Sequence, residues 1–243
     1  MMTYLKAIIS LFEVLFFSIG IFPADTNIDY GGDTYTPPEI TTPMYIVENG
    51  ESDFVIVTEE DPDECIVTAT EELKNYIKQV SGAELAVVEE TEVTKEDKAI
   101  ILGDTELTQS IKEMKADKIK EDGFRFFADG KHFIIFGEDS RGTLYGVYTF
   151  LEEYMGVRWF TPQLEKAPES KDIVVDANTD TLVEPSFAIR RNSPANADDK
   201  YRARTKTNVS FWNEAEAYGG ALTYVLWDVT LDRLVPDSLY SEH

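Results

Sequence analysis

Residues 123–162, GFRFFADGKHFIIFGEDSRGTLYGVYTFLEEYMGVRWFTP, limit the possible folds more than any other stretch of the chain. Two aromatic-rich runs flank Asp129-Gly130, and that pair predicts a hairpin because its turn needs a positive φ that glycine adopts without strain. Ser140 or Asp139 then caps a helix in which Leu144, Tyr148, Leu151 and Met155 form one apolar stripe, ended by Gly156. Gly142 and Gly146, four apart on that helix, leave a groove where a second element can approach closely. VRWFTP reads as a short strand leading into a connector. His132, inside the hairpin, is expected to face solvent. A hairpin followed by a striped helix requires a sheet with a helix packed on it.

The segment upstream supplies the rest of such a layer. MYIVENG and DFVIVTE are short β-branched runs separated by Asn49-Gly50, which predicts a second hairpin. DPDECIVTATEELKNYIKQVSG predicts a helix with Asp61 as N-cap, Pro62 in the first turn, Glu64 closing a capping box and Gly82 past the end. Cys65, Ala69, Tyr76, Ile77 and Val80 recur at helical spacing, so Cys65 belongs to the core rather than to a nucleophilic site. ELAVVEE is a further strand, and KAIILGD is a continuous apolar run of the kind a central, doubly covered strand shows. Leu107, Ile111 and Met114 follow at helical spacing, and KDIVVDA, after the 123–162 stretch, is one more strand. The order βαβαββαβ specifies an α/β fold with a mixed β-sheet and packed helices.

Charge and cysteine content narrow the function. The 46 acidic and 22 basic residues give a formal net charge of −24, a field that repels nucleic acid and anionic membrane surfaces. One cysteine and two histidines cannot assemble a sulfur and imidazole zinc site; carboxylates alone are the remaining route to a metal, and no cofactor is assigned. GEDSRGT has the glycine spacing of a phosphate-binding loop, but Thr143 stands where the lysine would be and two of its residues are acidic.

The ends read differently from the middle. Lys6 precedes an apolar run from Ala7 to Phe22, interrupted by Glu13 and followed by Pro23-Ala24, so residues 1–24 read as a signal peptide or an N-terminal anchor. The implied location is secreted, periplasmic or cell-surface, with no stable membrane insertion after cleavage. Residues 25–43, rich in Asp, Thr, Gly and Pro, read as a linker to a domain over 44–178. Composition shifts again at NTDTLVEP, and Pro185 opens a new unit. SFAIRRN is a candidate strand, DDKYRARTKT a candidate helix and NVSFW a candidate second strand, the opening of a repeating β/α unit that is incomplete over 185–243.

KAIILGDTEL, the 123–162 stretch and VEPSFAIRR together resemble the domain that precedes the catalytic (β/α)8 barrel in family 67 α-glucuronidases. A similar domain precedes the barrel in family 20 β-hexosaminidases. The likeness is greatest to large glycosidase-like proteins whose barrel region also opens with a proline-aromatic-arginine strand. It spans roughly residues 44–243 and is most specific over Gly137–Pro162.

The resemblance implies an accessory domain that lacks the catalytic carboxylates, so no catalytic residue is assigned. Gly142 and Gly146 would let the helix lie close to its sheet or to the barrel. Arg158, Trp159 and Phe160 would line the junction with the next domain, or simply belong to the core. Arg190, on what would be the first barrel strand, would donate to sugar hydroxyls, with Arg191 on the opposite side; a salt bridge is the competing role for Arg190. The expected partner is a carbohydrate held by the barrel. Asp228 and Asp232 could share a helix face as solvated charge, and Asn208-Val209-Ser210 is a glycosylation sequon. A carbohydrate-binding or docking module without chemistry is the rival reading of the chain.

Overall fold

A computed structural model describes residues 38–110, 119–191, 197–209 and 216–220. The signal or anchor reading of 1–24, Ile111, Met114, Asp228 and Asp232 lie outside these residues, as does all but the end of the expected linker. The strands are β1 (Pro43–Val47), β2 (Val55–Thr58), β3 (Val87–Glu89), β4 (Ala99–Leu102), β5 (Phe124–Ala128), β6 (His132–Gly137), β7 (Arg158–Thr161), β8 (Leu164–Lys166), β9 (Ile173–Asp176) and β10 (Asp180–Val183). The helices are α1 (Glu64–Ser81), α2 (Glu106–Ser110), α3 (Ser140–Glu153) and α4 (Asp199–Arg204).

Six strands form a mixed sheet in the order β10-β5-β6-β4-β2-β3, with β3, β2, β4 and β6 mutually parallel and β5 antiparallel to both its neighbours. β4 is buried along its whole length between β2 and β6. Successive residues of a strand point to opposite faces, and the core divides accordingly. Ile56, Ile100, Leu102, Phe133 and Ile135 face α1 and α3, whereas Val57, Ile101, Ile134 and Phe136 form a smaller cluster on the other face. The mixed α/β sheet with packed helices expected from the sequence is therefore present.

The predicted hairpin at Asp129-Gly130 is β5–β6, with Gly130 at φ 87° and Phe126 opposite Ile135. Asn49 and Gly50 do form a tight turn, both at positive φ, closed by two backbone bonds of 2.9 and 3.0 Å between Glu48 and Glu51. Its flanking strands nevertheless do not pair: β1 pairs with β9, and β2 enters the main sheet. The turn dictates a reversal, but β2 gives one edge to β3 and the other to β4, which leaves neither for β1.

Three further expectations are corrected. The α1 N-cap is Asp63, not Asp61: its Oδ1 accepts from the Ile66 N–H at 2.8 Å, which leaves Pro62 outside the helix and Glu64 in its first turn. His132 is buried, not solvent-facing, with Nδ1 2.8 Å from Asp129 Oδ2, because β6 is an interior strand whose two faces are both covered. The sheet also continues past 178: β10 pairs antiparallel with β5, and Arg125 donates to Asp180 at 2.7 Å.

Ser186–Arg191 is not a strand. Its backbone is held instead by Asn208, whose Oδ1 accepts from Arg190 N–H at 2.8 Å and whose N–H donates to Arg190 carbonyl oxygen at 3.1 Å. DDKYRARTKT does contain a helix, α4, capped by Asp198. Of NVSFW, only Asn208 and Val209 are among the described residues.

Candidate functional site

The chain after the sheet returns to α1 and α3, and two buried carboxylates fasten it there. The first is Asp122, in a turn before β5 with φ 62° and a side chain 1% exposed. It accepts from three donors: Arg141 Nε on α3, Arg190 Nη2 at 2.7 Å and Asn208 Nδ2 at 2.6 Å. Arg190 Nε also donates to Lys206 carbonyl oxygen at 2.9 Å, Nη1 to Phe187 carbonyl oxygen at 2.9 Å, and the guanidinium lies 5.7 Å from the Tyr145 ring centre. Each guanidinium nitrogen of Arg190 thus has a protein acceptor, the salt-bridge arrangement rather than one open to a sugar.

The second carboxylate is Glu72 on α1. Arg204 reaches its Oε2 through Nη2 at 2.9 Å and Nε at 3.2 Å, and Lys200 Nζ lies 2.8 Å from Oε1. Arg204 also donates to the Tyr76 hydroxyl at 2.8 Å and to Glu165 at 3.0 Å, and sits over the Trp159 and Tyr76 rings at 5.2 and 5.5 Å. Burial lowers the Arg204 pKa, but Glu72, ahead of Tyr76, more than offsets that, so the charge is retained. Burial pushes the Tyr76 hydroxyl well above its ordinary range, so it stays a proton donor, to Glu165 at 2.7 Å. Paired, hydrogen-bonded and stacked on aromatic faces, this arginine has what a buried charge requires.

Gly142 and Gly146 face the domain's own sheet. A Cβ on Gly142 would stand 2.5 Å from Gly123 carbonyl oxygen, and one on Gly146 would stand 2.5 Å from Ile135 Cγ2 and 3.2 Å from the Phe124 ring. Trp159 is buried, donates from Nε1 to the Tyr76 hydroxyl at 2.9 Å, and meets Tyr76 and Tyr148 edge to face. It is both a core residue and the surface on which Arg204 rests. Arg158 donates to the carbonyl oxygens of Glu152, at the end of α3, and of Val157 beyond it. Phe160 is 57% exposed, and only its carbonyl oxygen, which accepts from the Tyr201 hydroxyl at 3.1 Å, takes part in the junction.

Sequence reasoning missed Asp122, Glu72, Tyr76 as a polar anchor, and Arg204. Among 46 carboxylates nothing marks two as buried. The nearest available signals were Arg190 and Arg204 themselves, because an arginine near an aromatic stripe needs a partner.

The carboxyl ends of β2, β4 and β6, where open α/β sheets commonly receive ligands, form a cavity of about 210 Å³ lined by Glu59, Asp104, Glu138 and Asp139. Burial, then Asp63 and Asp104, raises the Glu59 pKa; burial, then Asp139 and Glu121, raises that of Glu138. Asp139 itself caps α3 through the Gly142 N–H at 2.7 Å, and Thr143 Oγ1 accepts from the Gly137 N–H at 3.0 Å. A phosphate would meet carboxylates here. Among the described residues no group of three or more His, Cys, Asp or Glu could hold a metal ion, and no helix is long and apolar enough to cross a membrane. Burial, then Asp63, pushes the Cys65 thiol up to about 12, which makes it inert.

No curated protein matches the sequence. Among solved structures, a family GH115 4-O-methyl-α-glucuronidase with specificity for decorated arabinogalactans is similar at 17% identity and TM-score 0.47, over 67% of this chain and 25% of that one. A mutant Streptomyces plicatus β-hexosaminidase is similar at 16% identity and TM-score 0.39, over 64% and 26%. The GH20 β-N-acetylhexosaminidase of Streptomyces coelicolor A3(2) is similar at 15% identity and TM-score 0.41, also over 64% and 26%. The matched region spans about a quarter of the length of each of these enzymes. Residues 48–150, which hold α1, the main sheet up to β6 and most of α3, match the family described as glycosyl hydrolase family 67 N-terminus.

Proposed function

We propose that this chain is the N-terminal part of an exported glycoside hydrolase, in which residues 44–183 are an accessory domain that braces a catalytic barrel. The observation that carries the reading is the match of residues 48–150 to the family 67 N-terminal domain. The buried carboxylates agree with it: Asp122 and Glu72 are saturated by arginine, asparagine and lysine donors, so neither is available as an acid or a nucleophile. What they do is tie the segment that follows the sheet to α1 and α3. A tether of this kind fixes the direction in which the next domain leaves.

In the whole protein the chemistry is hydrolysis of O-glycosyl bonds by paired carboxylates placed beyond this chain, with polysaccharide or uronic-acid-bearing glycans as substrate. Export rests on Lys6 and the apolar run after it. The test is release of aryl glucuronides and aryl hexosaminides by this chain and by the same chain extended through its downstream reading frame. Activity in the extended protein alone is expected. Turnover by residues 1–243, or a downstream frame encoding no barrel, overturns the reading. N-terminal sequencing of secreted material should find cleavage next to Ala24.

A further inference from the structure

A second cleft lies away from the junction. It lies between the β1–β9 ribbon and the amino-terminal ends of β2, β4 and β6, has a volume of about 430 Å³, and is open to solvent. The buried residues Met44, Ile46 and Phe54 are among those that line it. Tyr45, 42% exposed, stands on the ribbon at its side. Asn49, Glu51 and Asp53 form an exposed polar rim.

The rim is held rigid. Glu48 and Glu51 close the Asn49-Gly50 turn, Asn49 N–H donates to Asp172 at 2.7 Å, and Gly50 N–H donates to Lys171 carbonyl oxygen at 2.7 Å. Ser52 Oγ donates to Ile46 carbonyl oxygen at 2.6 Å and accepts from Phe54 N–H at 3.0 Å. A cleft whose walls are already ordered loses little freedom on binding.

We propose that this cleft binds a neutral glycan, with Tyr45 as the stacking platform and Asn49, Glu51 and Asp53 as hydroxyl partners. A pyranose has an apolar C–H face and a belt of hydroxyls, so it needs a flat ring beside a ring of acceptors and donors. Tyr45 presents an apolar face with a polar tip. The carboxylates accept hydroxyl protons in charge-assisted bonds, and the Asn49 amide both donates and accepts. The volume falls within the range of small-molecule sites and suits one or two sugar units. Charge selects against uronates: Glu48, Glu51 and Asp53 line the cleft with one lysine, Lys98, which is already paired to Asp53 at 3.3 Å and lies 6.0 Å from the Phe54 ring centre.

This goes beyond the accessory-domain reading and does not depend on it, because binding here would be observed without any turnover. The purified chain is titrated by calorimetry and by amide NMR with xylotetraose, cellotetraose and a glucuronic-acid-substituted xylo-oligosaccharide. Saturable binding of a neutral oligosaccharide is expected, with shifts at Asn49, Ser52 and Asp53, an affinity loss of about tenfold in Tyr45→Ala, a smaller loss in Asp53→Asn, and none in Phe160→Ala. Retention of the wild-type amide spectrum away from the cleft shows that Tyr45→Ala is folded. Absence of binding by both neutral oligosaccharides, tighter binding of the acidic one, or equal binding by Tyr45→Ala overturns the proposal.

Discussion

Arg204 and Glu72, 132 positions apart in sequence, meet through two hydrogen bonds of 2.9 and 3.2 Å with both side chains almost wholly buried. This pair and the Asp122 cluster join α4, Arg190 and Asn208 to α1, α3 and the turn before β5.

Removing one partner should be far more damaging than removing both. Arg204→Met leaves Glu72 buried with only Lys200, and Glu72→Leu leaves Arg204 without its main counter-ion; each should lower stability by about 3–5 kcal/mol. The double variant should recover a large share of that loss. Urea unfolding of the four proteins measures it, and additive losses would show that the pair is not coupled.

The two helix glycines should tolerate no side chain. Gly146→Ala drives a methyl group against Ile135 and the Phe124 ring, at a cost of about 1–3 kcal/mol. Gly142→Ala meets a backbone carbonyl oxygen, which cannot rotate away, so its loss should be at least as large. Phe160→Ala, at an exposed position, should change stability by no more than about 0.5 kcal/mol. Thermal melts that rank Phe160→Ala with the glycine variants would contradict the close packing of α3 on the sheet.

Stability should be greatest in weak acid. Glu59 and Glu138 have folded pKa values raised above their ordinary 4.5, so the folded state binds more protons, and stability falls as the pH climbs from 4.5 through those raised values. Asp129 has the opposite sign. Against the push of burial, hydrogen bonds from His132 and the 131–132 backbone hold it below 3.8, and its contribution disappears as the pH falls from 3.8 through its folded value. A melting-temperature profile should therefore peak at about pH 4–5, and Glu59→Gln with Glu138→Gln should flatten its neutral limb. A profile that rises steadily to neutrality would refute the assignment.

Asn208 should remain unmodified even where a glycosylation machinery is present. Its side chain is fully buried and bonded to Asp122, the Ala188 carbonyl and Arg190 N–H, so a transferase reaches it only before that segment docks. Intact-mass measurement of protein secreted from a eukaryotic host should show no glycan at this sequon. A high occupancy would mean that Asn208 docks on Asp122 slowly or not at all.

Periodicity and turn chemistry made most of the fold legible. The KAIILGD run, the Asp129-Gly130 turn, the apolar stripe of α3 and the helical spacing from Cys65 to Val80 report local geometry and side-chain burial, both of which are written in neighbouring residues. Partner choice is not. Asn49-Gly50 fixed a reversal but not which strand β1 joins, and Asp61, the expected cap, gives way to Asp63, whose carboxylate meets the Ile66 N–H.

By itself the sequence determined the mixed α/β sheet with packed helices and the resemblance to a glycosidase N-terminal domain, whose family model matches residues 48–150. Only the tertiary structure decided that His132 is buried, that Arg190 is bound to Asp122 and that Arg204 finds Glu72. Those outcomes are contacts between residues far apart in the chain, and a buried charge is paired by whatever the packed surface brings within about 3 Å, a distance no local pattern encodes.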